Sequence, residues 1–362
     1  MMKKLGGLML NNTAYKLKND KKLRVAYFGG SITEGAGASD PTKTCYRAMT
    51  TAWFKAKYPD AEVTEIYAAI GGTGTSMGIF RQRADVIAEN PDLIFIEFAG
   101  NDFGDSYDRI LPQMESMLRQ IRRELPMADV VVLISTALMV IEHIEAGGVF
   151  ESKEAHVKAA THYGVPAIDF GTPLYERVKA EGVPYSAYAP DELHPGDNGY
   201  AVMAEYLIGK LEAMLDVCPE ALVPHEMPEK LCERASEVGD IIPADQRRSL
   251  EMKGGFYYNP EPNDRFGGFI ETTCGGAEFT FKFTGIGVGF YRVGGDCGAD
   301  LLVSIDGGDF VINETWDKYV RSFHRLAAAV VTKDLPYGEH TVTVKAPESD
   351  DIRVRIGGVF VC

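Results

Sequence analysis

The sequence predicts a doubly wound parallel α/β domain followed by an all-β sandwich or jelly roll. Three observations carry this. Strand-like and helix-like stretches alternate from Leu23 to about Leu215. The strand-like stretches are continuous apolar runs, such as Leu93-Ile94-Phe95-Ile96, and such runs belong to a parallel sheet covered on both faces. Beyond about Gly239 the texture changes to a period of two: Phe279, Phe281 and Phe283 alternate with Thr280, Lys282 and Thr284.

In order, residues 1–20 are polar and read as an arm packed on another part. A buried strand is predicted over 23–28, closed by Gly29-Gly30. A helix follows near 42–57, where Tyr46, Met49, Trp53 and Phe54 share a face. Next come a strand over 63–70, a helix near 76–89 and a strand over 93–98. Ile110, Met114, Met117, Leu118 and Ile121 stand at helical spacing and predict a long helix over 107–124. Strands near 129–137 and 166–170 and helices near 151–163 and 198–215 complete the alternation. Pro219, Pro224 and Pro228 then punctuate a predicted linker. The expected organisation is 1–216, an α/β domain; 217–238, a linker; and 239–362, a β domain. Within the last, Asp306-Gly307-Gly308-Asp309 signals a hairpin.

Bulk properties narrow the function. The 362 residues are 45% hydrophobic and 25% charged, enough for two cores. A net charge of −15 argues against nucleic acid and against polyanionic substrates. No stretch approaches the ~20 apolar residues of a membrane span. Six cysteines (Cys45, Cys218, Cys232, Cys274, Cys297 and Cys362) form no CxxC pair, so neither a zinc site nor a disulfide framework is expected. Reduced thiols in a cytoplasmic protein are the expectation.

Four short pieces lie where strands end or helices begin: Gly30-Ser31, Gly71-Gly72, Asn101-Asp102 and Asp191-x-x-His194-Pro195. Their chemistry belongs together. A serine hydroxyl is a poor nucleophile until an imidazole takes its proton. The imidazole needs a carboxylate on its other nitrogen, and Asp191 and His194 are close enough in sequence to meet in one turn. A developing oxyanion needs preplaced donors, which the N–H groups of Ser31 and Gly72 and the amide of Asn101 can supply.

The four blocks, in this order over roughly residues 20–215, resemble the SGNH hydrolases, the GDSL family of esterases and lipases. The resemblance implies a flavodoxin-like doubly wound sheet and no metal or cofactor. It implies Ser31 as nucleophile, His194 as base, Asp191 as its orienter, and Ser31, Gly72 and Asn101 as the oxyanion hole. Two positions depart from the family pattern. Gly30 replaces the signature aspartate, and Ala99 replaces the first glycine of the GxND block. Neither carries a proton or a donor in the mechanism, but together they weaken any inference about substrate. The β domain resembles the jelly-roll modules attached to carbohydrate esterases, without a specific motif. The expected substrate is a small-molecule or oligosaccharide ester with a short acyl group, acetyl first. The alternatives are a thioesterase or lysophospholipase, or a non-catalytic carbohydrate-binding protein on the same scaffold.

Other readings are set aside on single residues. Gly30 and Gly35 have P-loop spacing, but Ala36 and Gly37 stand where Lys and Ser/Thr are required. Gly72-Thr73-Gly74 begins a dinucleotide fingerprint that Met77 breaks. Thr33 breaks the G-x-S-x-G elbow. Arg81 and Arg83 read as helix-surface charges, one pairing with Glu97 or Asp102, with binding of an anionic substrate group as the alternative. His143, His156 and His162 read as surface or packing residues. Tyr257, Tyr258, Tyr291, Trp316 and Tyr319 are expected mostly in the β core, with sugar stacking as the alternative. The β domain is also a surface on which a homo-oligomer would form.

Overall fold

The structure, a computed structural model, describes residues 9–233, 235, 239–244, 250–261, 267–294, 299–314 and 325–362. The chain divides into two compact units, Met1–Glu237 and Val238–Cys362.

In the first unit, five parallel strands lie in the order β2-β1-β3-β4-β5: β1 (Lys22–Gly29), β2 (Glu62–Ala69), β3 (Leu93–Glu97), β4 (Asp129–Ile134) and β5 (Ala167–Asp169). This is the flavodoxin-like order. Every residue of β3 and β4 is buried, as their unbroken apolar runs require. Register decides where the chemistry collects. Gly29 pairs with both Ala69 and Glu97, so the ends of three strands and the loops that leave them share one edge. The order reverses between β1 and β3, and ligands of open α/β sheets bind at that switch point.

The helices are α1 (Asn11–Tyr15), α2 (Ser31–Glu34), α3 (Tyr46–Lys57), α4 (Thr75–Asp85), α5 (Tyr107–Glu124), α6 (Leu138–Glu145), α7 (Glu151–His162), α8 (Gly171–Glu181) and α9 (Asp197–Met214). The expected face of α5 is buried at Ile110, Met114, Met117, Leu118 and Ile121. Helices α1, α2, α6 and α8 escape the sequence pattern. Helices α1 and α2 are only five and four residues long, α6 leaves Met139 and Ile144 exposed, and α8 follows directly on β5. The predicted helix over 76–89 stops at Asp85, and a 3₁₀ turn, Ile87–Glu89, follows.

Arg81 is not a surface charge and pairs with neither Glu97 nor Asp102. It is fully buried on α4. Its guanidinium donates to the carbonyls of Gly29 and Ala68, both at 2.7 Å, and meets Asp85 at 2.9 Å. It also lies over the ring of Phe28. The Gly29 carbonyl also accepts the N–H of Ile70, so this cation adds a second donor there and ties the end of β1 to β2. Arg83, by contrast, is partly exposed and reaches Glu124.

The stretch after α9 lies on the first unit as a strap. Asn12 holds Val223 through both its amide N–H and its carbonyl oxygen. His225 meets Asp129 at 2.9 Å, and Glu115 accepts from the N–H groups of Leu231 and Cys232. The N-terminal arm is packed too, with Leu10, Ala14 and Leu17 buried.

The second unit is antiparallel throughout its described residues. Its strands are β6 (Asp240–Pro243), β7 (Glu251–Lys253), β8 (Tyr257–Asn259), β9 (Phe269–Thr272), β10 (Glu278–Gly285), β11 (Val288–Gly294), β12 (Leu301–Ile305), β13 (Val311–Asn313), β14 (Arg325–Thr332), β15 (Gly338–Lys345) and β16 (Val354–Val361). They form two sheets, β13-β12-β15-β10-β7 and β14-β11-β16-β9-β8, with β6 beside β16. Phe279, Phe281 and Val303 from one sheet share a core with Ile270, Phe290 and Ile356 from the other. That shared core makes the unit a sandwich. The expected hairpin joins β12 to β13 through Asp306-Gly307. Of the aromatics considered for sugar stacking, Tyr291 is buried, Tyr258 half-buried and Tyr257 exposed. Trp316, Tyr319 and Cys297 lie outside the described residues. Cys45, Cys218, Cys232, Cys274 and Cys362 are free thiols. Among the described residues, no helix is long and apolar enough to cross a membrane.

Candidate active site

The strand β1 delivers Gly30-Ser31 to the sheet edge, and Ser31 opens α2. Its Oγ lies 2.8 Å from Nε2 of His194. The imidazole Nδ1 lies 2.7 Å from Oδ2 of Asp191. One carboxylate thus fixes the ring's tautomer, and the other nitrogen faces the hydroxyl. The local turn explains how residues three apart meet. Glu192 has a φ of 63°, and Oδ1 of Asp191 accepts the N–H groups of Leu193 (3.0 Å) and His194 (2.6 Å). Glu192 also accepts the N–H of Leu138, which ties the turn to α6. Burial raises the Asp191 carboxyl, but the hydrogen bonds from His194 and Leu193 outweigh it and hold the group below its usual range. Asp191 is therefore an anion at neutral pH although it is largely exposed.

The two remaining blocks stand around Ser31. Gly72 has a φ of +73°, a conformation in which other residues are strained, and its N–H belongs to that turn. Among the described residues, neither that N–H nor the N–H of Ser31 has a backbone acceptor. Asn101 is exposed, and its amide lies against Gly30. A Cβ on Gly30 would overlap Oδ1 of Asn101. The missing aspartate at position 30 therefore has a physical reason: the side chain of Asn101 occupies that space. The structure thus brings Ser31, Gly72, Asn101, Asp191 and His194 to one edge.

Beneath the edge lie buried titratable groups. Asp102 is 2% exposed. Its Oδ1 accepts the N–H of Thr75 at 2.9 Å, capping α4 from another loop, and its Oδ2 meets Nε2 of His156 at 2.8 Å. His156 is fully buried. One carboxylate thus joins the turn bearing Asn101, the turn bearing Gly72 and α7. The signal for His156 was its shared face with Ala155, Ala159 and Ser152, all small and buried.

Glu97 ends β3 and is 1% exposed. It accepts hydrogen bonds from Ser135 and from Thr33, the latter at 2.8 Å. Thr33 stands two residues after Ser31, and Tyr46 contacts the same hydroxyl at 2.8 Å. Burial pushes the Glu97 carboxyl up to about 7, against the pull of hydrogen bonds from Ser135, Thr33 and the Gly30 N–H; the nearby Asp102 charge adds to the rise. In the unfolded chain the group titrates near 4.5. Between these values the folded chain keeps a proton that the unfolded chain has lost. The associated stability is full below about 4.5 and is lost as pH rises through about 7. The whole effect is on the order of 3 kcal/mol. Glu97→Gln is expected to remove it. Thermal melts of the wild type should fall in Tm between pH 5 and pH 8 by more than those of the variant, and parallel curves would refute the assignment.

Residues 27–202 match the model of the GDSL-like Lipase/Acylhydrolase family. The N-terminal unit belongs to that family. As a GDSL-like acylhydrolase unit it carries the family's fold with Gly30 in the signature position. The whole chain is similar in fold to a two-domain esterase active on acetylated mannans, solved with mannopentaose. The TM-score is 0.83 at 22% identity, over 98% of this chain and 95% of that one. A second structure of a two-domain esterase active on acetylated mannans gives 0.82 at 22% identity, over 98% and 96%. A search of curated proteins finds no match. Among the described residues, no group of three or more His, Cys, Asp and Glu side chains is gathered as metal ligands would be.

Proposed function

We propose that the protein is a serine esterase that removes short acyl groups, acetyl above all, from carbohydrates. The continuous contact from Asp191 through His194 to Ser31 carries this reading. Ser31 Oγ attacks the ester carbonyl carbon while His194 Nε2 takes the hydroxyl proton. The carbonyl oxygen becomes an oxyanion, met by the N–H groups of Ser31 and Gly72 and the amide of Asn101. Collapse breaks the bond to the sugar oxygen, which leaves with the proton from His194. Water then gives a proton to His194, attacks the acyl-enzyme and releases the acid and free Ser31. Asp191 stabilises the imidazolium in both halves.

The carbohydrate part rests on analogy. The two neighbours in fold act on acetylated mannans, and at 22% identity that supports a substrate class rather than a particular sugar. The test is acetate release from acetylated manno- and xylo-oligosaccharides, run beside p-nitrophenyl esters of increasing chain length. Acetate release and a maximum at two carbons are expected. Peak activity at eight carbons or longer, with no acetate released from sugars, would replace this reading with a thioesterase or lysophospholipase.

A further inference from the structure

We propose that Ser152 and His156, one turn apart on α7, are positioning residues for the oxyanion hole; this rests on the serine-esterase reading above, in which Asn101 and Gly72 are donors. Both side chains are buried, so neither reaches a substrate. Both hold the turn that carries Asn101, one on each side of it. Ser152 donates its hydroxyl to the carbonyl of Ala99 at 2.7 Å. His156 meets Oδ2 of Asp102 at 2.8 Å. Residues 99 and 102 bracket Asn101, so α7 grips the turn at both ends.

An imidazole is a poor filler for a dry core, and this one uses only one of its nitrogens. Among the described residues, Nδ1 of His156 is buried with no hydrogen-bond partner. A proton there would be an unpaired buried donor, so the proton sits on Nε2 and is given to Asp102. The carboxylate passes the restraint on. Its Oδ1 accepts the N–H of Thr75 at 2.9 Å, and it lies 2.1 Å from where a Cβ on Gly74 would stand. Gly74 stands two residues after Gly72, so the same carboxylate holds the second donor turn.

Such a brace has a chemical reason. Oxyanion donors stabilise a transition state only when they are in place before the charge develops. Asn101 is exposed and stands on a loop, where backbone is more mobile than in a helix. Two hydrogen bonds from one helix, a turn apart, resist both sliding and tilting of that loop. The ceiling on their effect is the worth of the donors, about 10²- to 10³-fold each in kcat. A displacement of about 1 Å takes a large part of it. Ground-state binding does not register that loss, so it falls on kcat and not on KM.

The experiment measures kcat and KM on p-nitrophenyl acetate, per active site counted by complete fluorophosphonate labelling, for Ser152→Ala, His156→Leu and His156→Gln, each alone and combined with Asn101→Ala. In His156→Leu kcat is expected to fall about ten- to a hundredfold, and in Ser152→Ala about three- to tenfold, with KM within about twofold. His156→Gln keeps a donor for Asp102 and is expected to keep more of the rate than His156→Leu. With Asn101 already removed, Ser152→Ala is expected to cost nothing further, and His156→Leu only the part that acts through Gly72. A kcat unmoved in Ser152→Ala, or the same fold-loss repeated in the Asn101→Ala background, overturns the proposal, and this arm stands even where His156→Leu does not fold. If Asn101→Ala itself leaves kcat unchanged, or the wild type hydrolyses no ester, the oxyanion-hole reading has failed instead. The brace is then decided by hydrogen exchange over residues 98–105 of the full chain: faster exchange in Ser152→Ala supports it, and unchanged exchange removes it.

Discussion

Ser31→Ala is expected to lower kcat on p-nitrophenyl acetate by roughly a thousandfold or more, with Tm unchanged. The size follows from what is lost. Without Oγ no acyl-enzyme forms, and only solvent attack assisted by the oxyanion donors remains. The fold has little stake in the hydroxyl, whose contact is with His194. Ser31 is half-buried, and the turn around it is held by other groups. The Glu34 N–H donates to the Gly30 carbonyl, and Thr33 is tied to Glu97. Steady-state kinetics together with a thermal melt check both halves. A residual rate within tenfold of wild type would mean that another nucleophile does the chemistry.

Asn101→Ala is expected to cost about 10²- to 10³-fold in kcat with KM little changed. An oxyanion donor acts on charge that exists only in the transition state, so ground-state binding does not register its loss. Stability should again be kept. Asn101 is exposed, and the neighbouring Asp102 holds the turn through Thr75 and His156. A loss confined to KM would instead make Asn101 a substrate-binding residue.

Much of this was legible in the sequence, for physical reasons that can be named. The parallel sheet was readable because strands buried on both faces must be apolar throughout, as Leu93–Glu97 and Asp129–Ile134 nearly are. The β unit was readable because Phe279, Phe281 and Phe283 point into one core. The four blocks were readable because glycines, a serine, an asparagine and an Asp-x-x-His segment stand at element ends. Arg81 was misread because a cation on a polar helix carries the same pattern whether it faces water or two backbone carbonyls. Only the register that ends β1 beside β2 makes it buried. Glu97 stood in plain sight as the charge inside an apolar run. Its partners, Thr33 and Ser135, are far from it in sequence and meet it only through the strand order. Helix α2 is a single turn, too short for any periodicity to register.

The central claim is that Ser31 is a nucleophile activated by His194. The most direct measurement is covalent labelling with a serine-directed fluorophosphonate, read by intact mass and peptide mapping. One adduct per chain, on Ser31, absent in Ser31→Ala and much slowed in His194→Ala, is the predicted result. No adduct, an adduct on another residue, or labelling that survives Ser31→Ala would contradict it.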